Sequence, residues 1–459
     1  RGDVFFAIKG LKTDGNNYIE DAFTKGAEAV FSDSTEGKDG SRIYRVKDCR
    51  KAMASISNVY YDFPSRKMKV IGVTGTNGKT TVTNLINFVL GYWEKKTGLI
   101  GTNGNYINKK YIQTQFTTPE SVELNALLNE MCDAGVEYVT MEVSSHSLAL
   151  SRVYGIDFDA VVFTNLTPDH LDFHKTMENY FEAKKILFDN IKRINSKGNS
   201  TAAIYNSDDE FGKKIVGGSG AERISFGFQK AAYSIENLKM NFGGMEFDML
   251  VPLNGEGIDR IEIKTNLTGK FNVYNILAAA AVLKYLNVPF EIIRKGMKDF
   301  NAVEGRFNLV KLTNGATAII DYSHTPDALL KAITAIREIL DDSGSAGKII
   351  TVFGCGGDRD RQKRPLMGKI AVDTSDHAII TSDNPRSEDP LDIIEEIKAG
   401  ISSDNYSVEE NREMAIEQAV NMSKNGDVIL IAGKGHETYQ EVKGIKHHFS
   451  DKEIVEKYV

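Results

Sequence analysis

Cysteine is scarce. The chain of 459 residues has three, Cys49, Cys132 and Cys355, an odd number set far apart. With no CxxC pair and no zinc-type spacing, a disulfide framework is excluded, and free thiols in a reducing compartment, the cytoplasm, are expected. Basic residues are not in excess either. Lys and Arg number 56 against 63 Asp and Glu, a net charge of -7, which argues against a nonspecific nucleic-acid binder but not against a nucleotide held in a local pocket. Long apolar runs are missing: stretches such as Ile276–Leu283 fall far short of the ~20 residues a membrane helix needs. No signal peptide, short repeat, low-complexity segment or run of like charges stands out. The chain also lacks an initiator Met. It opens Arg1-Gly2-Asp3 and runs at once into Val4–Ile8, which reads as a start already inside a domain, with earlier residues preceding it.

What remains is globular: 41% hydrophobic and 26% charged residues. The length implies about three domains, expected at 1–66, 67–304 and 305–459. The first mixes a short strand with helices around 19–26 and 50–63. From Lys69 onward, strand and helix patterns alternate, which predicts an α/β fold with a parallel sheet. Residues 224–267 change to short alternating runs broken by Gly and Asn and are expected to form antiparallel hairpins on the sheet edge. An Ala-rich helix at 273–286 follows. After Glu304 a second βα series begins, with its own buried strands.

One motif carries chemistry by itself. The apolar strand Val70-Ile71-Gly72-Val73 runs into Thr74-Gly75-Thr76-Asn77-Gly78-Lys79-Thr80-Thr81 and then a helix. Such a loop turns backbone N–H groups toward phosphate oxygens at a helix N-terminus. Lys79 is placed for β/γ-phosphates and Thr80 for Mg²⁺. Val73 occupies the first Gly place of a strict G-x-x-x-x-G-K-[ST] motif. Two further βα ends, Met141–His146 and Thr164–Asp172, put polar groups where α/β sheets bind ligands. Taken alone, Glu142 reads as a capping or solvent-facing carboxylate and Lys184 as a solvated helix lysine. His170 and His174 are four apart, but no H-E-x-x-H surrounds them, which disfavours a zinc hydrolase.

The segments Gly75–Thr81, Glu142–His146, Asn165–Asp172, Tyr180–Lys184 and Gly269–Asn275 occur in the order and spacing of the Mur ligase family, and the resemblance covers essentially the whole chain. It implies a partial N-terminal uridine-binding domain, a central P-loop ATPase domain and a C-terminal Rossmann-like α/β domain. It implies an ATP-dependent amide ligase of peptidoglycan precursor synthesis, monomeric, with no nucleic-acid or membrane partner, that activates a carboxylate as an acyl phosphate for attack by an amine. The loop Gly75, Thr76, Asn77, Gly78, Lys79, Thr80 and Thr81 would bind ATP. One Mg²⁺ would lie at Thr80 and Glu142, and a second at His170 and Lys184, the latter carrying a CO₂-derived carbamate. Asn275 resembles the adenine-side residue, Arg306 the arginine that reaches the phosphates, and Asp321 and His324 nucleotide contacts from the C-terminal domain.

For UDP-N-acetylmuramoyl-L-alanyl-D-glutamate, the resemblance implies Lys12, Thr13 and Asp14 at the uridine and Thr117, Thr118, Ser144 and Arg152 at the muramoyl-dipeptide. Leu150 and Phe116 depart from a glutamine and an asparagine of some relatives. For the amino acid it implies Arg359, Gly433, Glu437 and the run Asp383-Asn384-Pro385-Arg386. That run resembles members that add meso-diaminopimelate, whereas lysine-adding members lack the arginine. Chemistry supports the distinction, since diaminopimelate carries a second carboxylate that a guanidinium can grip with two parallel hydrogen bonds. The readings set against this one are a lysine-adding or folylpolyglutamate sibling and a P-loop ATPase that ligates nothing.

Overall fold

A computed structural model describes residues 2–10, 13–34, 42–253 and 257–459. Lys12 therefore lies outside the described residues. Among those described, no helix is long and apolar enough to cross a membrane.

Three parallel strands, Val4–Ala7, Ala29–Ser32 and Ile43–Arg45, form the first sheet. Two of them escaped the sequence reading, because three- and four-residue strands carry too little alternation to register. The helix Cys49–Tyr60 follows, with Asp48 accepting from the Lys51 N–H at its N-cap.

The central sheet has eight strands in the order Glu222–Phe226, Ala202–Asn206, Ala160–Phe163, Lys69–Thr74, Tyr138–Glu142, Thr97–Gly101, Gly104–Ile107, Lys110–Ile112. The first six run parallel, and the last two close the edge antiparallel. Lys69–Thr74 pairs with Tyr138–Glu142 on one side and Ala160–Phe163 on the other. It is thus the strand from which the chain crosses over in both directions, the place where such sheets open a ligand crevice at their C-terminal ends.

The helix Lys79–Tyr92 buries Val82, Leu85, Ile86 and Val89 at helical spacing against this sheet. Each such side chain contributes roughly 1.5–3 kcal/mol on burial. The helix Lys270–Tyr285 packs alongside, and its run Ala278–Ala281 is fully buried, small enough for close helix–helix approach.

The alternating region departs from the expected edge hairpins. Glu222–Phe226 is the parallel edge strand, and Ser234–Asn241, Gly244–Pro252 and Ile258–Thr265 make a separate antiparallel sheet. Its alternation gives it one apolar face, Phe247, Met249, Val251 and Ile263, which is buried in the core shared with the Ala-rich helix. Burying that face outweighs extending the central ladder.

A second large sheet has Asn308–Lys311 antiparallel at one edge, then Thr317–Asp321, Val428–Ala432, Ile349–Phe353, His377–Ile380 and Tyr406–Val408 in parallel. Its first helix, Pro326–Asp342, starts sharply. Pro326 stands in the first turn, and the Thr325 hydroxyl accepts from the Ala328 N–H. A hairpin, Tyr439–Val442 with Ile445–His448, lies beyond the last parallel strand.

Candidate active site

The phosphate loop is held open by its own neighbours. Gly75 and Gly78 have φ of 150° and 87°. A Cβ on Gly75 would lie 1.8 Å from the Thr164 hydroxyl, and one on Gly78 2.4 Å from Asn275 Oδ1, so glycine is required at both places. The second βα end braces the loop: the Thr76 N–H donates to Asn165 O at 2.9 Å, and the Asn77 N–H to Asn165 Oδ1 at 3.0 Å. Lys79 Nζ folds back onto the carbonyls of Gly75 and Thr76 at 2.9 and 2.8 Å. Burial lowers its pKa, opposed by the Glu142 and Asp169 carboxylates.

Glu142 is buried, correcting the solvent-facing reading. Its Oε2 accepts from the Thr80 hydroxyl at 3.1 Å and its Oε1 from the Thr102 N–H at 2.9 Å. Thr80 in turn accepts from Arg306 Nη2 at 3.1 Å. Among the described residues, no group of three or more His, Cys, Asp or Glu could hold a metal ion by itself. A hydroxyl beside one buried carboxylate instead fits Mg²⁺, which keeps waters and takes its remaining oxygens from substrate phosphates.

Lys184 is 1% exposed, which overturns the solvated reading. It shares the inward face of Met177–Asp189 with Phe181 and Phe188. Its Nζ donates to Gly75 O at 2.9 Å and sits 4.5 Å above the Tyr180 ring. Burial, aided by Lys79, drives its pKa well below the usual lysine range. A neutral amine is the form that can take up CO₂. The His170 ring packs 4.8 Å from that of His146, and its Nε2 is 3.3 Å from Asp169 Oδ2.

The far wall comes from the second large sheet. Arg306 lies 4.6 Å above the Tyr322 ring, and its Nε is buried without a partner. Asp321 accepts from the Phe307 N–H at 2.8 Å, and burial raises its pKa. Burial pushes His324 down to about 4, and its Nδ1 is 2.7 Å from Tyr322 O. Asp327 ties the two bodies together, accepting from Asn77 Nδ2 at 3.0 Å and the Thr167 hydroxyl at 3.1 Å. One cavity of about 240 Å³ is lined by Thr76–Thr81, Thr117, Glu142, Ser144, His170, Lys184, Asn275, Arg306, Asp321 and His324. Gly75 stands outside that lining, its carbonyl accepting from Lys79 and Lys184.

Thr118 and Arg152 stand just behind this cavity. The Thr118 hydroxyl donates to Glu142 O at 2.8 Å, and Arg152 Nη1 donates to Thr118 O at 3.0 Å. Arg152 also pairs with Glu120 at 2.8 Å and lies 4.7 Å over Phe116. Thr13 and Asp14 belong to the first sheet's region. Thr13 lines a separate hollow, and Asp14 accepts from the Asn16 N–H at 2.9 Å.

The amino-acid candidates form their own cluster. Asn384 Nδ2 donates to Glu437 Oε2 at 2.8 Å, and Lys434, fully buried, donates to Asn384 Oδ1 at 3.1 Å. A Cβ on Gly433 would lie 2.6 Å from Asp383 Oδ2. Burial and then Asp383 raise the Glu437 pKa. Arg386 has φ 52°, donates to Gly357 O at 2.7 Å and lies 3.6 Å from Glu441. Pro385 is buried beneath it, and Arg359 is exposed on the facing loop.

Sequence reasoning missed Thr102, Asp327, Lys331 and Lys434. Lys434 stands between Gly433 and Gly435, beside two candidate residues of the site, Gly433 and Glu437, and that setting was the available signal. Thr102 and Lys331 line the cavity, Lys331 pairing at 2.9 Å with Asp327 one turn earlier on its helix, and none of these three carries a local mark in the sequence.

The chain has close counterparts. Residues 73–283 match the family model of the Mur ligase middle domain, 305–435 that of the Mur ligase glutamate ligase domain, and 1–61 that of the Mur ligase family catalytic domain. The UDP-N-acetylmuramoyl-L-alanyl-D-glutamate--2,6-diaminopimelate ligase 1 of Clostridium acetobutylicum is 45% identical over 99% of this chain and 92% of its own length. The enzyme named for the same reaction in Bacteroides thetaiotaomicron is 40% identical over 99% and 92%. A solved structure of such a ligase superposes with a TM-score of 0.68 at 30% identity, covering 100% of this chain and 92% of that one. A MurF ligase from Thermotoga maritima in complex with ADP shares the fold at 18% identity and a TM-score of 0.62, covering 95% and 92%.

Proposed function

This chain belongs to the Mur ligase family, and from that premise we propose that it is the ATP-dependent ligase that joins meso-diaminopimelate to UDP-N-acetylmuramoyl-L-alanyl-D-glutamate. The γ-phosphoryl group of ATP passes to one of the two free carboxylates of the D-glutamyl end, releasing ADP. The amine of the amino acid then attacks the acyl phosphate, phosphate leaves, and an amide remains. The observation that carries the reading is the single cavity lined by Lys79, Glu142 and Lys184 on one side and Arg306, Asp321 and His324 on the other. Two anions repel, so a site that joins them must gather positive charge where they meet.

The residues divide the work. Loop N–H groups from Gly78 to Thr81 receive the phosphates, while those of Thr76 and Asn77 stay on Asn165, and Lys79 exchanges two carbonyls for phosphate oxygens. Thr80 and Glu142 would hold one Mg²⁺, and His170 with a carbamate on Lys184 a second. Bound there, Mg²⁺ supplies neutralisation of phosphate charge. Asn275 packs under the loop on the adenine side. Thr117, Thr118, Ser144 and Arg152 hold the dipeptide, and Thr13 and Asp14 with Lys12 the uridine. Asp383, Asn384, Pro385, Arg386, Arg359, Gly433 and Glu437 receive the amino acid, with Arg386 at its distal carboxylate and Glu437 at its ammonium. The reading carries with it a monomer working in the cytoplasm on peptidoglycan precursors.

Its test is a ligation assay with the UDP-dipeptide, ATP and Mg²⁺. Product is expected with meso-diaminopimelate and little with L-lysine, and phosphate release should need both the dipeptide and the amino acid. Equal use of both amino acids would defeat the Arg386 assignment. Release that ignores both substrates would identify an ATPase without ligation.

A further inference from the structure

Two loops leave the C-terminal ends of the adjacent strands Ile349–Phe353 and His377–Ile380. The first carries Arg359, the second Asp383–Arg386. They are zipped together. The Gly357 N–H donates to Asn384 O at 2.9 Å, Arg386 Nη1 donates to Gly357 O at 2.7 Å, and the Ser387 hydroxyl donates to Asp358 Oδ1 at 2.6 Å. A Cβ on Gly357 would stand 1.9 Å from Pro385 O, so the loops touch backbone to backbone.

Behind them Arg364, in the helix Lys363–Thr374, is fully buried and meets no solvent. Its two terminal nitrogens grip both oxygens of Glu388 at 2.8 Å each, and Nη1 also reaches Glu396 Oε2 at 2.8 Å. Nη2 donates as well to Gly356 O at 3.2 Å. Glu388 extends the clamp by accepting from the Asp358 N–H at 2.6 Å. The Arg364 guanidinium holds the Glu388 carboxyl down to about 2, so the pair stays charged throughout the working pH range. A planar fork is needed here, since four contacts divide between two nitrogens, a spread that the single ammonium of a lysine does not span.

We propose that Arg364 is the positioning residue of the amino-acid site: by fixing Gly356 on one loop and Glu388 on the other, it sets the place of Arg386 and hence the preference for an amino acid with a second carboxylate. Arg364 itself touches no substrate. The inference rests on the reading of Arg386 as the contact of that carboxylate.

The experiment is steady-state kinetics with diaminopimelate and with lysine on four variants: Arg364→Lys, Glu388→Gln, Arg386→Ala and the double Arg364→Lys/Arg386→Ala. Both clamp variants should raise the KM for diaminopimelate by roughly tenfold or more while the KM for ATP stays within about twofold. Discrimination against lysine should narrow in parallel. The double variant should be no worse than Arg386→Ala alone, because Arg364 acts through Arg386. A double variant in which the two losses multiply would overturn the proposal and leave Arg364 a general stabiliser. So would an unchanged KM in both clamp variants beside a raised KM in Arg386→Ala, which would spare the functional reading. No effect in Arg386→Ala itself would remove that reading and the inference with it. Should Arg364→Lys not fold, Glu388→Gln, at the solvent edge of the clamp, carries the test.

Discussion

At the phosphate loop, three nitrogen donors rest on neutral acceptors: the Lys79 ammonium on the Gly75 and Thr76 carbonyls, the Lys184 amine on the Gly75 carbonyl, and the Arg306 guanidinium on the Thr80 hydroxyl. Around Asp383–Arg386 the cations are already paired with carboxylates. Arg364 grips Glu388, Lys434 lies 3.3 Å from Glu437, and Arg386 stands 3.6 Å from Glu441. The difference fits the roles proposed for the two regions. Exchanging a carbonyl for a phosphate oxygen gains a charge-assisted hydrogen bond without breaking an ion pair, so nucleotide capture costs little reorganisation. Selecting one amino acid over another needs fixed geometry, and preformed ion pairs supply it.

Removing a cation from the uncommitted set should break the comparison most visibly. Lys79→Met is expected to lower the ligation rate on the order of 10³-fold with little change in the KM for diaminopimelate. A comparable rise in that KM would mean that the two regions are not separate. Next in size, Lys184→Ala should lose roughly 10²-fold, and acetate or formate should restore part of it by supplying the missing anionic oxygen. A mass on Lys184 greater by one CO₂ in the untreated protein would agree. No recovery with either acid would remove the carboxylate role.

The smallest effect concerns stability. Burial holds His324 at about 4, against an ordinary 6.5. Between those values the unfolded chain binds a proton that the folded one refuses. The contribution of His324 is therefore complete above pH 6.5 and falls away as the pH drops toward 4. His324→Gln should make the decline of Tm over that window shallower, as read by thermal unfolding at stepped pH. An unchanged slope would mean that the ring is already open to water.

The fold's alternating βα pattern and the phosphate loop were legible because each is local: a strand, two glycines at left-handed φ and a helix start lie within a dozen residues. The acid and lysine that complete the site were not legible from residue type. Glu142 and Lys184 are charged side chains on inward faces, where periodicity expects apolar ones: Glu142 is enclosed by Thr80 and Thr102 at its strand end, and Lys184 by the reach of helix Met177–Asp189 to the Gly75 carbonyl. The family resemblance supplied both, together with the Asp383–Arg386 run. Neither periodicity nor resemblance pointed to Asp327 bridging to Asn77 or to Arg364 clamping Glu388. These contacts join residues 250 and 24 positions apart, and only the packed sheet brings them together.

A structure of the protein with a non-hydrolysable ATP analogue and Mg²⁺ tests the contrast most directly. Lys79 Nζ should leave the Gly75 and Thr76 carbonyls, and Arg306 the Thr80 hydroxyl, for phosphate oxygens, while the Arg364–Glu388 contacts persist at 2.8 Å. A bound triphosphate with Lys79 still on its carbonyls, or with the Arg364 clamp undone, would contradict the account.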